Sequence, residues 1–279
     1  MKVAYLNGKF IPLDKARVSI LDRGFLYGDG VFETMRSRGG VVLHIDKHLE
    51  RLFKSLGVFR IRFTSGKAKI RKIIYKLLGK NKLKDAYIKI IVTRGETNGL
   101  LIPRGRGLST LAIYALPYKA LRKNVYEKGI SVLISETRYD GKSRVAGNKT
   151  LNYMNNFLCR DAAGRKGFDD VVFINTDGFI AEASSSNIFL ISGKKIYTPS
   201  LKSGILPGIT REEVIRLARR CLRHNVVESF LRPGALRRAR EIFLTNSLAG
   251  IVPVVKVGES VVGCGRPGGL TKKLMELLK

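Results

Sequence analysis

Two kinds of hydrophobic pattern alternate along this chain, and that alternation limits the folds available to it. Segments such as "DAYIKIIVTRG" (85–95) place apolar residues at every second position, which predicts half-buried strands. Segments such as "SGKAKIRKIIYKLLGKN" (65–81) place them at i, i+3 and i+4, which predicts amphipathic helices. The segment 22–44 is predicted to form strands interrupted by glycines, with a turn at Gly39-Gly40. Together the patterns predict a two-domain fold of the α+β (α/β) class.

A change of pattern near residue 120 indicates how the 279 residues are divided. Residues 1–116 are predicted to form a small N-terminal α/β domain with two helices, one beginning at Asp46 and one capped by Ser65. Residues 117–127 are predicted to be an interdomain connector. Residues 128–279 are predicted to form a larger C-terminal domain of alternating strands and helices.

The charge balance is strongly basic, with 52 Lys plus Arg, 22 Asp plus Glu and a formal net charge of +30. Clustered basic residues would suit a nucleic-acid-binding protein, because they neutralise phosphates and release counterions. Here, however, they are spread along the whole chain and fall on the polar faces of predicted helices. We therefore expect no specific nucleic-acid partner. One alternative hypothesis, from a different functional class, is that the chain is a basic nucleic-acid-binding protein that has lost catalysis.

The rest of the composition bears on location and metals. No apolar run reaches the roughly 18–20 residues that a membrane helix needs, and the start "MKVAYLNGKFIP" lacks the features of a secretory signal. We therefore expect a cytoplasmic protein with no membrane partner. Cys159, Cys221 and Cys264 have no CxxC spacing and the chain has only three histidines, so neither a disulfide framework nor a metal site is predicted.

Three charged residues could carry chemistry. Lys149 lies among small and amide residues in "AGNKTLNYMNN", before a helix predicted to begin at Asn152. Glu182 lies among Ala and Ser between apolar strands, where an unpaired charge would be costly. Arg51 lies on the predicted helix "DKHLERL". For Lys149 and Arg51, the alternative explanation is a solvated surface charge.

Two polar segments could bind an anion. "LPGITREEV" places Gly208, Ile209 and Thr210 at the start of a helix, where backbone N–H groups and the helix dipole favour a phosphate. The alternative is a capping box from Thr210 to Glu213. The second segment is the turn Thr245-Asn246-Ser247. A lysine, a carboxylate, an arginine and two such turns would together suit a phosphorylated pyridine aldehyde, which a lysine can hold as a Schiff base.

These segments resemble the motifs of the class-IV aminotransferase family, the fold-type IV pyridoxal-phosphate enzymes. That family includes branched-chain aminotransferases, D-amino-acid aminotransferases and 4-amino-4-deoxychorismate lyases. The motifs occur in the family's order as "DRGFLYGDGVFETMR", "HLERL", "KTLNY", "EASSSNIF", "LPGITR" and "TNSLAGIVPV". The resemblance covers nearly the whole chain. It implies a bilobal fold with pyridoxal 5'-phosphate between a smaller N-terminal and a larger C-terminal domain, and a homodimer or higher homo-oligomer.

The resemblance also implies a role for each matching residue. Lys149 would bind the cofactor covalently and move the substrate proton, and Glu182 would pair with the pyridine nitrogen. The remaining implied cofactor-binding residues are Arg51, Ile209, Thr210 and Ser247 at the phosphate, and Tyr153 near the cofactor hydroxyl. The implied substrate-pocket residues are Tyr27, Phe32, Lys89 and Leu248.

The reaction is less well defined by these residues, because transaminases and lyases of the family share them. Tyr27 and Tyr153 favour a branched-chain aminotransferase that moves an amino group between an L-amino acid and 2-oxoglutarate. The turn "TNSLAGI" departs from those enzymes, and "DRG" and "VTRG" are closer to the lyase and D-amino-acid branches. The segment "ETNGLLIP" lacks the Arg-x-His carboxylate trap of the D-amino-acid branch. We rank branched-chain L-amino-acid transamination first, aminodeoxychorismate lysis second and D-amino-acid transfer third.

Overall fold

The structure is a computed structural model that describes residues 2–97 and 108–278. These residues form two compact units. The first unit spans Met1–Lys119 and also takes in Asn148–Asn152. The second spans Ala120–Gly147 and Tyr153–Lys279. The predicted domain limits stay a prediction, and most of "ETNGLLIP" lies outside the described residues.

The first unit is a sheet covered by two long helices. Its described strands pair in the order β2-β1-β6-β5-β3-β4, with antiparallel neighbours throughout. The strands are β1 Val3–Leu6, β2 Lys9–Pro12, β3 Gly30–Arg38, β4 Val41–Val42, β5 Ala86–Thr93 and β6 Leu111–Pro117. The helices are α1 Arg23–Tyr27, α2 Ile45–Val58 and α3 Lys67–Lys80.

The alternation of residues in β3 and β5 decides which side chains reach the core of this unit. Ile88, Ile90 and Val92 of β5 are fully buried with the apolar faces of α2 and α3, as the period-two pattern predicts. The residues between them, including Lys89, lie on the opposite face of the sheet. Phe32 faces the same way as Lys89, because its neighbour across the strand pair is Ile91. The sheet therefore separates an apolar core from a face that carries polar side chains.

The second unit is built on a longer, mixed sheet. Its described strands pair in the order β12-β11-β10-β13-β14-β7-β8-β9, with β15 added to β14. The strands are β7 Ile130–Ile134, β8 Asp170–Ile174, β9 Ile180–Ala183, β10 Asn187–Ser192, β11 Lys195–Pro199, β12 Asn225–Ser229, β13 Glu241–Asn246, β14 Gly250–Val257 and β15 Ser260–Val261. The helices are α4 Lys123–Lys128, α5 Met154–Arg165, α6 Ile209–Arg220, α7 Gly234–Arg238 and α8 Gly269–Leu277. Apolar residues of α6 and α8 pack with β10 and β13, where the Phe189 and Phe243 rings stack 4.9 Å apart.

Several predicted element boundaries are wrong. Helix α3 begins after Gly66, with no side-chain cap, so Ser65 does not cap it. Helix α5 begins at Met154 and not at Asn152. The segment predicted as interrupted strands contains the short helix α1, capped when Asp22 accepts a hydrogen bond from the Gly24 N–H. Five residues are too few to show a helical period, which is why the sequence pattern concealed this helix.

Among residues 2–97 and 108–278, the structure contains no helix with the length and hydropathy that a membrane span requires.

Candidate active site

Lys149 is held against the first residues of β3 in the first unit. The Phe32 N–H donates to the Lys149 carbonyl oxygen at 2.9 Å, and the Leu151 N–H donates to the Gly30 carbonyl oxygen at 3.0 Å. Thr150 forms a bridge with Val31 between these two bonds. The segment 149–151 thus runs antiparallel beside β3 in an isolated bridge, and this backbone pairing fixes Lys149.

The side chains of two lysines approach the same aromatic ring. The Lys149 Nζ lies 4.3 Å from the centre of the Phe32 ring, and the Lys89 Nζ lies 4.1 Å from it. Burial lowers the pKa of Lys89, and the positive charge of Lys149 lowers it further. A neighbouring ammonium group disfavours the charged form of a lysine, so the Lys89 side chain loses its proton more readily than a free lysine does. Three residues that the sequence separates widely are therefore together on one face of the sheet.

Tyr27, the other aromatic residue predicted for the pocket, lies on α1. It is 43% exposed, and the Arg23 guanidinium lies 5.0 Å from the centre of its ring. Arg23 and Arg94 both donate to the Asp29 carboxylate. Burial tends to raise the pKa of Asp29, but the hydrogen bonds and charges of Arg94 and Arg23 outweigh it, and the pKa is lowered. This ionic cluster fixes the segment between α1 and β3.

Arg51 is not a solvated surface residue. Its side chain is 10% exposed and donates from Nε to Glu33 Oε1 at 2.7 Å and from Nη2 to Glu33 Oε2 at 2.9 Å. His48 Nδ1 lies 2.7 Å from Glu33 Oε2. Burial tends to raise the pKa of Glu33, but the charge of Arg51 and the hydrogen bonds from Arg51 and His48 bring it down to about 2. Burial also lowers the pKa of His48.

Glu33 and His48 were not predicted from the sequence. Their sequence signal is positional: Glu33 falls between the buried residues Val31 and Met35 of β3, and His48 precedes the buried Leu49 of α2. A carboxylate on the core side of a strand needs a charged or hydrogen-bonding partner. His48 and Arg51, one turn apart on the buried face of α2, supply both.

In the second unit, Glu182 lies on β9 with defined hydrogen-bond donors. Asn187 Nδ2 donates to Glu182 Oε2 at 3.0 Å. The Leu206 N–H lies 3.3 Å from Oε1 and 3.2 Å from Oε2. Donors of this kind stabilise the ionised carboxylate. Burial raises the pKa of Tyr139, and the charge of Glu182 raises it further, so this phenol stays protonated and donates to the Gly204 carbonyl oxygen at 2.9 Å.

The start of α6 differs from the predicted capping box. The N-cap residue is Gly208, and Thr210 lies inside the first turn. Glu213 forms an ion pair with Arg216. The capping box is therefore wrong, because Thr210 is already helical. The first N–H groups of a helix have no partners within it, so Ile209 and Thr210 present backbone donors suited to an anion.

Arg211 is a further residue that the sequence analysis missed. Its side chain is 5% exposed and donates to the Pro199 carbonyl oxygen at 2.9 Å and to Glu228 at 2.8 Å. Because Pro199 ends β11, Arg211 ties the first turn of α6 to the end of that strand.

The turn after β13 is fixed by the side chain of Asn246. Its Oδ1 accepts from the N–H groups of Leu248 at 3.0 Å and Ala249 at 2.8 Å, and its Nδ2 donates to Ser186 Oγ at 2.9 Å. Ser247, predicted to bind phosphate, lies at the centre of this turn. Asn246 was seen in the sequence only as part of a polar turn.

Tyr153 is the N-cap residue of α5, with its ring 6.4 Å from that of Phe157.

Within the described residues no cluster of His, Cys, Asp and Glu could hold a metal ion.

Comparison with known proteins identifies the family. The family model for amino-transferase class IV matches residues 30–257. The chain belongs to the class IV aminotransferase family. The resemblance seen in the sequence is confirmed, and so is the prediction of an enzyme.

This chain is similar to proteins that are named for different activities. A protein of Methanocaldococcus jannaschii named "Putative branched-chain-amino-acid aminotransferase" is 37% identical over 100% of this chain and 96% of its own length. The aminodeoxychorismate lyase of Bacillus subtilis is 31% identical over 98% of this chain and 92% of its own length. The D-alanine aminotransferase of Bacillus licheniformis is 30% identical over 100% of this chain and 96% of its own length.

Solved structures confirm the fold. The branched-chain amino acid aminotransferase of Escherichia coli has a TM-score of 0.95 and 28% identity over 99% of this chain and 92% of its own. A second branched-chain amino acid aminotransferase, solved with pyridoxamine 5'-phosphate, has a TM-score of 0.94 and 25% identity over the same shares. The chain thus has the mixed α/β fold of fold-type IV enzymes. Its family implies a cofactor of the pyridoxal phosphate type.

Proposed function

We propose that this chain is a pyridoxal 5'-phosphate-dependent aminotransferase that moves an amino group between an L-amino acid, with branched-chain donors preferred, and 2-oxoglutarate. The observation that carries the proposal is the geometry at Glu182, where Asn187 and the Leu206 N–H stabilise an ionised carboxylate. Such a carboxylate fits a protonated pyridine nitrogen. The branched-chain enzymes among the relatives and solved structures favour the substrate class.

The residues of each unit fit parts of this cofactor. In the first unit, Lys149 lies beside the Phe32 ring, which Lys89 also approaches, and its side chain carries the primary amine needed to bind an aldehyde. Arg51 offers a guanidinium, held by Glu33, for a phosphate. In the second unit, Ile209 and Thr210 offer helix N–H groups, and Ser247 lies in a turn fixed by Asn246.

When bound, the cofactor supplies an electron sink for the charge left when the substrate loses its α-proton. The chain's own residues do the rest. Lys149 Nζ would accept that proton and return it to the new position, which requires the neutral amine. Glu182 would hold the ring nitrogen protonated, and Tyr153 would bind near the ring hydroxyl. Tyr27, Phe32, Lys89 and Leu248 would line the substrate pocket.

We also propose that the protein is cytoplasmic and assembles as a homodimer or a larger homo-oligomer. On α5, Met154, Phe157 and Leu158 are 71%, 67% and 60% exposed. Three large apolar side chains on one short helix are unfavourable in water and suit a protein interface. Size-exclusion chromatography with light scattering tests this, with a mass of about two or more chains expected. A mass of one chain at assay concentration would contradict it.

The second candidate is 4-amino-4-deoxychorismate lysis. The turn "TNSLAGI" and the similarity to the Bacillus subtilis lyase favour it. Two assays on the same preparation separate the candidates. We expect glutamate to form from L-leucine and 2-oxoglutarate, and no pyruvate to form from aminodeoxychorismate. Pyruvate release without glutamate formation would replace the proposed reaction with the lyase.

A further inference from the structure

Asn187, the first residue of β10, is a buried amide whose contacts extend beyond its hydrogen bond to Glu182. It is 3% exposed. Its Nδ2 donates to Glu182 Oε2 at 3.0 Å and to the Leu206 carbonyl oxygen at 3.0 Å. An amide nitrogen has two hydrogens, so both of its donors are used. One side chain therefore links the Glu182 carboxylate to the segment that leads into α6.

The oxygen of the same amide lies against the start of α6. A Cβ added to Gly208 would lie 1.9 Å from Asn187 Oδ1, closer than any real contact. Gly208 is the N-cap residue of α6, so the absence of a side chain lets the helix start approach the amide. The backbone of Asn187 is in turn fixed by pairing with Thr245 of β13. Asn187 thus contacts Glu182, Leu206 and Gly208 from a position set by the sheet.

We propose that Asn187 is a positioning residue that sets the distance between two cofactor anchors, the Glu182 carboxylate and the N-terminus of α6. This inference rests on the proposed function. Pyridoxal 5'-phosphate carries its ring nitrogen and its phosphate on one nearly rigid frame, so both anchors must be spaced correctly to be used together. A ligand that uses only one anchor does not depend on that spacing. Asn187 therefore matters most for a ligand that binds both.

The test compares a two-anchor ligand with a one-anchor ligand. Equilibrium dialysis measures the Kd of pyridoxal 5'-phosphate and of inorganic phosphate for the wild type and Asn187→Ala. We expect Asn187→Ala to weaken pyridoxal 5'-phosphate binding by about thirtyfold or more and phosphate binding by about twofold or less, because the helix N–H groups remain. Asn187→Ser, which keeps a short donor, is the second variant should Asn187→Ala not fold, and an intermediate loss is expected.

Asn175→Ala is the matched control. Asn175 is 2% exposed in the same unit, donates to the Ser203 carbonyl oxygen at 3.3 Å and accepts from the Phe179 N–H at 2.9 Å. It should lower stability without separating the two affinities. An unchanged Kd for pyridoxal 5'-phosphate in both Asn187 variants, or equal losses for both ligands, would overturn the inference and leave the proposed function intact. Failure of the wild type to bind pyridoxal 5'-phosphate would overturn both.

Discussion

At the scale of single residues, the buried charges of the first unit have clear physical partners. Glu33 is fully buried between Arg51 and His48 and has a pKa of about 2, below its ordinary value of 4.5. A carboxylate whose pKa is lower in the folded state than in the unfolded state stabilises the fold at pH values above its ordinary pKa. That stabilisation is lost as the pH falls toward the pKa of the folded state. The Glu33 carboxylate therefore stays ionised at physiological pH and holds Arg51 in place. We propose that Arg51 binds the cofactor phosphate.

We expect Glu33→Gln to lower the free energy of unfolding by about 3 kcal/mol at neutral pH, because Arg51 loses its buried partner. Denaturant unfolding across the acid range measures this. Wild-type stability should fall between pH 4.5 and about 2, and the variant should show a flatter profile. Glu136→Gln, a change at an exposed carboxylate paired with Lys166, is the control. Parallel acid profiles for Glu33→Gln and the wild type would contradict the assignment.

Lys149 is the residue on which we expect turnover to depend most. Lys149→Ala should lower kcat by about 10⁴-fold and abolish the absorption band that a cofactor bound covalently to Lys149 gives, because the substitution removes the amine that forms the covalent link and moves the substrate proton. The far-ultraviolet circular dichroism should be unchanged. Lys142→Ala is the control, since Lys142 is exposed and pairs with Asp177. Normal turnover by Lys149→Ala would refute the role of this lysine.

At the scale of elements, α1 depends on one buried carboxylate. Asp22 is 0% exposed and accepts from the Gly24 N–H, from Thr93 Oγ1 at 2.8 Å and from Thr110 Oγ1 at 2.6 Å. It caps the helix and also joins it to the ends of β5 and β6. A helix of five residues has little stability of its own, so this tertiary attachment maintains it.

Asp22→Ala should therefore lower the free energy of unfolding by about 3 kcal/mol, from a lost cap and two buried hydroxyls left without an acceptor. Thermal and denaturant unfolding measure the loss. Ser200→Ala removes a cap that accepts from the exposed Lys202 N–H at 3.3 Å and should cost about 0.5 kcal/mol or less. Equal losses in the two variants would show that Asp22 acts only as a local cap.

The helices and strands differ in how well the sequence predicts them. Long periodic segments such as α2 and α3 and alternating strands such as β5 were predicted, because burial of one face leaves a repeating pattern. The start of α3 was less predictable, because its N-cap residue is Gly66 and glycine has no side chain to signal a cap. The partners of Glu33 and Glu182 were not predicted, since long-range pairing leaves no periodic trace.

At the scale of the whole molecule, the net charge of +30 acts on stability. Like charges spread over a folded surface repel one another, and added salt screens that repulsion. We expect the Tm to rise by about 5 °C between low and physiological ionic strength, as a gain of about 1–2 kcal/mol would produce in a chain of this size. Scanning calorimetry over a series of sodium chloride concentrations measures it. A Tm that falls with salt would mean that attractive ion pairs dominate the surface.

The visible absorption spectrum of the purified protein, recorded before and after L-leucine is added without a keto acid, tests whether this chain carries out branched-chain transamination. We predict a visible band of the bound cofactor that L-leucine converts to the pyridoxamine form, and its return when 2-oxoglutarate is added. This cycle requires both half-reactions of transamination on one bound cofactor. A visible band that L-leucine leaves unchanged would contradict branched-chain transamination, and the absence of any cofactor band after incubation with pyridoxal 5'-phosphate would contradict the account as a whole.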